Sequence, residues 1–229
     1  QQASYRWLMV PGRKAAQDRG IRIILEQDAF AQIHRRWKRL GYPFDGLVPS
    51  YATAIGSSGD TPAALAQLVG IILNGGMQRP AYRVSQIHFA VGTPFEVHLR
   101  CRPGEQQRVM LPEVARLLRK ELVGVVQFGT ARRAAPGLAL PSGELLPVGG
   151  KTGTGDNRYK VFGRRGELIQ SVVRNRTATF VFFVGDCWFG TVTVFVPEDQ
   201  AEGFEFTSSL AVQVFKELAP RVIQKLRVG

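Results

Sequence analysis

The sequence predicts an α+β fold, an antiparallel sheet flanked by helices. Residues 177–184 and 188–196 are β-branched and aromatic runs separated only by Gly185-Asp186-Cys187, the signature of a hairpin. Several other segments repeat apolar residues at three- and four-residue spacing, and one of them, residues 63–73, is apolar on most faces and so requires burial.

In chain order, residues 22–40 are expected to form the first helix, with Phe30, Ile33, Trp37 and Leu40 on one face and the basic run Arg35-Arg36-Trp37-Lys38-Arg39 largely on the other. Gly41 and Pro43 end it. The second helix opens at Thr61-Pro62, a hydroxyl N-cap followed by proline in the first turn, and stops at Asn74-Gly75-Gly76. Residues 83–89 and 95–100 read as a hairpin around Gly92-Thr93-Pro94, with Pro103-Gly104 as a further turn, and His88 and His98 would pair across it. A third helix is expected over 112–128, its face made by Val114, Leu117, Leu118, Leu122, Val125 and Val126 and its end by Gly129. Residues 132–146 read as a Pro/Gly-rich loop. After the 177–196 hairpin, on which Trp188 and Phe189 fall as core or sheet-face residues, a last helix over 207–218 presents Leu210, Val214, Phe215 and Leu218 to the sheet.

With 229 residues, 45% hydrophobic and 21% charged, the chain can bury a substantial core and is neither a disordered tail nor a fibrous repeat. No run approaches the ~20 apolar residues that cross a bilayer. The start, Gln1-Gln2-Ala3-Ser4-Tyr5, has neither an initiator methionine nor a signal-peptide pattern, so the chain reads as a piece of something longer. Cys101 and Cys187 fit no metal or disulfide spacing and read as free thiols; His34, His88 and His98 fall on different elements, so no metal site, cofactor or triad is expected. The net charge of +12 would suit an anionic polymer, but the basic clusters, Arg35 to Arg39, Arg132-Arg133 and Arg164-Arg165, are scattered and lack interleaved aromatics, which argues against nucleic acid as a partner.

Chemistry concentrates in Pro147-Val148-Gly149-Gly150-Lys151-Thr152-Gly153-Thr154-Gly155. The glycines let another backbone approach, so a peptide can add to the strand edge while Lys151, Thr152 and Thr154 offer donors to a terminal carboxylate. A phosphate-binding loop is excluded, because Leu145 stands where the Walker pattern needs glycine five residues before Gly150.

Lys151-Thr152-Gly153-Thr154 resembles the third motif of penicillin-binding proteins and serine β-lactamases. Its surroundings match in order: Leu47-Val48-Pro49-Ser50 through Gly56, the helix from Thr61-Pro62 to Asn74-Gly75-Gly76, the block Val125-Val126-Gln127-Phe128-Gly129-Thr130-Ala131, and the strands around Gly185-Asp186-Cys187-Trp188. The resemblance covers most of residues 42–218 and points to the high-molecular-mass transpeptidases, some of them bifunctional with a glycosyltransferase domain. It implies a β-lactamase/transpeptidase-like fold, incomplete at its N-terminal side, with residues 1–229 the C-terminal part of a single domain without internal boundary.

It also implies acyl transfer: a serine attacks the D-Ala-D-Ala bond of a peptidoglycan stem peptide, and β-lactams mimic that dipeptide. Lys151 is then the candidate catalytic residue in this chain, moving protons and adding positive charge. Thr152, Gly153 and Thr154 are the candidate substrate-binding residues, and the backbone N–H near Thr154 an oxyanion donor. The resemblance further implies the periplasmic face of the bacterial inner membrane, with any anchor outside this chain.

The chain departs from the family pattern in one respect. No serine has lysine three residues on, and Ser-x-Asn is absent, although residues 3–9 could be the remainder of the helix that begins with it. Both motifs would lie upstream of everything present, which favours truncation over decay. The competing reading is a non-catalytic peptidoglycan- or protein-binding module with the same fold. The segment between Gly155 and Thr177 is longer than a tight hairpin needs; it would line the acceptor side of the cleft or be a solvated loop.

Overall fold

The structure is a computed structural model that describes residues 10–56, 58–102, 104–134, 138–139, 145–163, 167–198 and 200–226. Residues 3–9, Pro103, Arg164-Arg165 and most of the 132–146 segment, all invoked above, lie wholly or partly outside them. Two compact units emerge, Gln1–Ala64 and Leu65–Gly229.

In the first unit, α1 spans Lys14–Lys38 and so begins earlier than the expected Arg22. Lys14, Ala15, Ala16 and Gln17 are good helix formers, and they carry the helix through Gly20 despite its cost of about 1 kcal/mol. Arg35, Arg36 and Lys38 occupy the last turn, where cations oppose the negative end of the helix dipole. The chain then turns back on α1. Tyr42, 8% exposed, packs edge-on against Trp37 and His34, with ring centroids 5.9 and 5.7 Å apart. Ile21, Leu25, Phe30, Ile33 and Trp37 line, with Tyr51, an apolar cavity of about 690 Å³.

Helix α2, Pro62–Leu73, has the expected bounds. Thr61 Oγ1 accepts from the Ala64 N–H at 3.2 Å, the N-cap bond anticipated, and Gly75 and Gly76 at φ +60° and +88° end the helix in the left-handed region. Strands β1 (Met77–Gln78) and β4 (Gln107–Arg108) pair antiparallel, as do β2 (Gln86–Phe89) and β3 (Val97–Arg100). Both strands are shorter than expected; the second starts later because successive turns, Thr93 N–H to Ala90 O and Glu96 N–H to Thr93 O, consume residues up to Glu96. His88 does face His98, with rings stacked 4.4 Å apart.

The same hairpin carries a pH-dependent contact. The Gly92 N–H, 2.9 Å from Glu96 Oε2, and then His88 Nε2, 2.5 Å from Oε1, hold the Glu96 carboxyl below its usual value. A depressed carboxyl stabilises fully above its unfolded value, and that stabilisation is lost as pH falls through the lower folded one. The expected outcome is a Glu96 carboxyl NMR titration at lower pH than in an unfolded 86–100 peptide; coincident titrations would contradict this contact.

Helix α3, Pro112–Gln127, precedes a tight turn at Arg132–Ala134. Where a loop was expected, Leu138–Ala139 (β5) and Leu145–Leu146 (β6) pair as a short ladder. The main sheet follows, antiparallel and ordered β7-β8-β9, from Val148–Phe162, Leu168–Val184 and Trp188–Val196. The described part of the 156–176 segment is therefore a two-stranded ribbon continuing β7 and β8 rather than a loop, and most of it is exposed. Tyr159 pairs with Val172 in the register, Asn157 Nδ2 donates to Asn175 Oδ1 at 2.6 Å, and the Arg174 guanidinium lies 5.5 Å from the Tyr159 ring centre.

Alternation along β8 sorts the core into two layers. Ala178, Phe180 and Val184 pack with Ala211, Val212 and Phe215 of α4, while Val181 and Phe183 pack with Val69 of α2 and Leu122 and Val123 of α3. Helix α4, Ser209–Leu226, runs past the expected end at Leu218 and through Pro220. Ala219 is still buried in the core, so packing holds the turn that Pro220 weakens. Trp188 and Phe189 are sheet-face residues, 40% and 44% exposed. A methyl on Gly70 would come within 2.7 Å of the Phe189 ring, so α2 lies directly on β9.

Candidate functional site

The Lys151 segment occupies the first half of β7. In the sheet order β7 is an edge strand: β8 pairs with one side, and no strand pairs with the other among the described residues. Two glycines hold this edge close to the core. A methyl on Gly150 would lie 2.4 Å from the Val181 carbonyl oxygen and 2.7 Å from the Phe180 ring, and one on Gly149 would lie 2.3 Å from the Phe183 ring. Any side chain here would push β7 away from β8. At Gly153 the space that a side chain would take is open to 4 Å, so this face of the strand is unobstructed there.

Lys151 is exposed, and its Nζ donates to the Thr152 carbonyl oxygen at 2.7 Å, which draws the ammonium along its own strand. Thr152, 7% exposed, turns the other way, toward the layer that holds α4; its Oγ1 lies 2.6 Å from Thr130 Oγ1. Thr130 reaches it from the turn after α3, where the Ala131 N–H bonds back to Val125 O and the Ala131 side chain is fully buried. Burial of Ala131 thereby fixes the hydroxyl beside it.

Thr154 is exposed on the same side of the strand, and its Oγ1 accepts from the Ser208 N–H at 2.9 Å, just ahead of α4. An oxygen that accepts from an amide keeps its own hydrogen for another acceptor. The structure thus places Lys151, Thr152, Gly153 and Thr154 in sequence along one edge strand, the ammonium on one side of it and the two hydroxyls on the other, groups whose chemistry suits a carboxylate-ended peptide. Thr130 and the Ser208 amide complete the arrangement. Thr130 stood in the sequence within a recognisable Gly-Thr turn but carried no role, and a backbone amide leaves no side-chain signal beyond the hydroxyl residues that open α4.

The apolar cavity on α1 contains none of these groups and offers no chemistry for acyl transfer. The histidines have local partners: His34 Nε2 contacts Phe44 O at 2.9 Å, and His88 contacts Glu96. Cys101 and Cys187 are free and exposed. Among the described residues, no group of His, Cys, Asp or Glu could hold a metal ion, and no helix is long and apolar enough to cross a membrane.

Residues 32–184 match the family model described as the penicillin binding protein transpeptidase domain. No curated protein matches the chain. Among solved structures, penicillin-binding protein 1A from Haemophilus influenzae is similar over 80% of this chain and 30% of its own, at TM-score 0.55 and 19% identity. Penicillin binding protein 3 from Mycobacterium tuberculosis complexed with aztreonam is similar over 85% of this chain and 46% of its own, at TM-score 0.54 and 17% identity. For penicillin-binding protein A from M. tuberculosis, an imipenem acyl-enzyme complex, the shares are 79% and 35%, the TM-score 0.51 and the identity 20%. At these identities the structural likeness shows a common fold and nothing further, and the chain spans less than half the length of each of the three.

Proposed function

Because this chain belongs to the penicillin-binding protein transpeptidase family, we propose that it supplies the substrate strand of a serine D,D-transpeptidase that cross-links peptidoglycan stem peptides. The observation that carries this reading is the open β7 edge at Lys151, Thr152, Gly153 and Thr154, with its hydroxyls backed by Thr130 and the Ser208 amide.

In this mechanism the D-Ala-D-Ala end of a donor stem adds along β7. Its terminal carboxylate accepts from the Thr152 and Thr154 hydroxyls, and its scissile carbonyl oxygen accepts from the backbone N–H near Thr154, a contribution of about 3 kcal/mol in comparable sites. A serine from a Ser-x-x-Lys segment outside these residues attacks the carbonyl carbon. The C–N bond breaks, the serine proton passes to the departing amine, and D-alanine leaves with an acyl-serine ester behind it. An amine on a neighbouring stem then attacks the ester, forms the new amide and returns a proton to the serine oxygen. Lys151 assists these proton movements and offsets developing negative charge. β-Lactams enter the same edge as dipeptide mimics.

On this reading residues 1–229 are the C-terminal part of one transpeptidase domain that works at the periplasmic face of the inner membrane, anchored and possessing a glycosyltransferase neighbour, if any, through segments outside this chain. The absence of Ser-x-x-Lys in these residues supports a second reading, a non-catalytic module that uses the β7 edge to dock peptidoglycan or protein. Labelling with a fluorescent penicillin separates the two. This chain is compared with a version extended upstream by ~150 residues, roughly a domain's worth. Covalent label on the extended protein alone supports the transpeptidase; no label on either overturns it in favour of the docking module.

A further inference from the structure

We propose that Thr130 is a positioning residue of the carboxylate subsite: its hydroxyl donates to Thr152 Oγ1 and so directs the Thr152 hydrogen toward the terminal carboxylate of the bound peptide or β-lactam. The inference rests on the transpeptidase reading and deepens it. The two substrate-strand hydroxyls are held in different ways. Thr154 Oγ1 receives the Ser208 N–H at 2.9 Å, and an amide can only donate, so the Thr154 hydrogen is directed outward by backbone.

Thr152 has no such amide. Its oxygen lies 2.6 Å from Thr130 Oγ1, a hydroxyl–hydroxyl separation that holds one hydrogen, and either oxygen can supply it. At 7% exposure Thr152 has little water to reorient it, so its direction follows from what Thr130 does. If Thr152 donates to Thr130, only lone pairs face an incoming carboxylate. If Thr130 donates, the Thr152 hydrogen is free and an O–H···O–H···O⁻ chain forms, in which each bond polarises the next. Thr130 is exposed, so solvent can reach its remaining lone pairs. Carboxylate binding therefore selects the second arrangement, in which Thr130 is the donor that stands at hydrogen-bond distance from Thr152 Oγ1.

The test uses the protein carrying this chain together with its Ser-x-x-Lys segment and compares acylation by benzylpenicillin with acylation by its methyl ester, which lacks the anion. Thr130→Val is expected to lower the acid-to-ester rate ratio about tenfold, the upper end of the range for a hydrogen bond between neutral groups, while Thr130→Ser keeps the ratio within about twofold. An unchanged ratio in Thr130→Val, or equal loss with both ligands, overturns the role, since a merely structural defect slows both alike. Failure of the unmodified protein to react with either ligand overturns the transpeptidase reading and this inference with it.

Discussion

Lys151→Ala, in the protein extended to its serine, is expected to slow acylation by a fluorescent penicillin about 10²- to 10⁴-fold, the usual contribution of a positioned proton-transfer group. The fold should be nearly indifferent. Lys151 is exposed, and the contact it makes at 2.7 Å is with the carbonyl of the next residue on its own strand, so removing it uncovers no buried charge. Surface changes of that kind shift stability by within about 0.5 kcal/mol. A loss of activity that tracks a loss of folded protein would therefore contradict the role. Lys151→Arg divides the two contributions assigned to the residue. Arginine keeps the positive charge but does not give up its proton at accessible pH. If Lys151 moves protons, Lys151→Arg fails as badly as alanine; if it acts only through its charge, most of the rate returns. A rate unaltered in both variants would remove Lys151 from the mechanism.

The sequence made the tightly packed elements legible and the solvated ones not. Helix α2 and the β8–β9 turn were readable because a cap, a glycine stop or a glycine turn stands at each end: Thr61 bonds the Ala64 amide, and Gly185 adopts φ +60°. The 156–176 ribbon was not. Most of its residues are exposed on both faces, Val173 being an exception at 4%, so no buried side imposes the two-residue alternation by which a strand is recognised. Its pairing is inherited from the buried half of the hairpin, where Thr152 stands opposite Phe180. The last helix runs past its expected end at Leu218 for a related reason, since the core contact of Ala219 outweighs the local cost of Pro220. Of the candidate site, the strand bearing Lys151 and the two threonines was visible as a motif. The groups that orient its hydroxyls lie 22 and 54 residues away along the chain, and nothing local marks a hydroxyl or an amide as the partner of a distant threonine.

Phe180→Ala is expected to destabilise this chain by about 3–5 kcal/mol, the usual cost of emptying a buried phenylalanine site. In a chain of this size that is a fall of very roughly 6–20 °C in Tm, measurable by thermal unfolding. Phe180 is fully buried on the central strand, its ring 5.2 Å from that of Phe215 on α4 and 5.9 Å from that of Phe182. It also lies beneath the candidate site, since a methyl on Gly150 would come within 2.7 Å of it. That proximity sets a sharper test than the single variant. If the ring were all that requires glycine at position 150, Phe180→Ala would make room for Gly150→Ala, and the double variant would be no less stable than Phe180→Ala. The added methyl, however, also meets the Val181 carbonyl oxygen at 2.4 Å, and backbone does not retract when a side chain is trimmed. Gly150→Ala is therefore expected to remain destabilising in the Phe180→Ala background. Full relief there would show that β7 is held against the ring alone, and that the close approach of β7 to β8 is not what sets the position of the Lys151 edge.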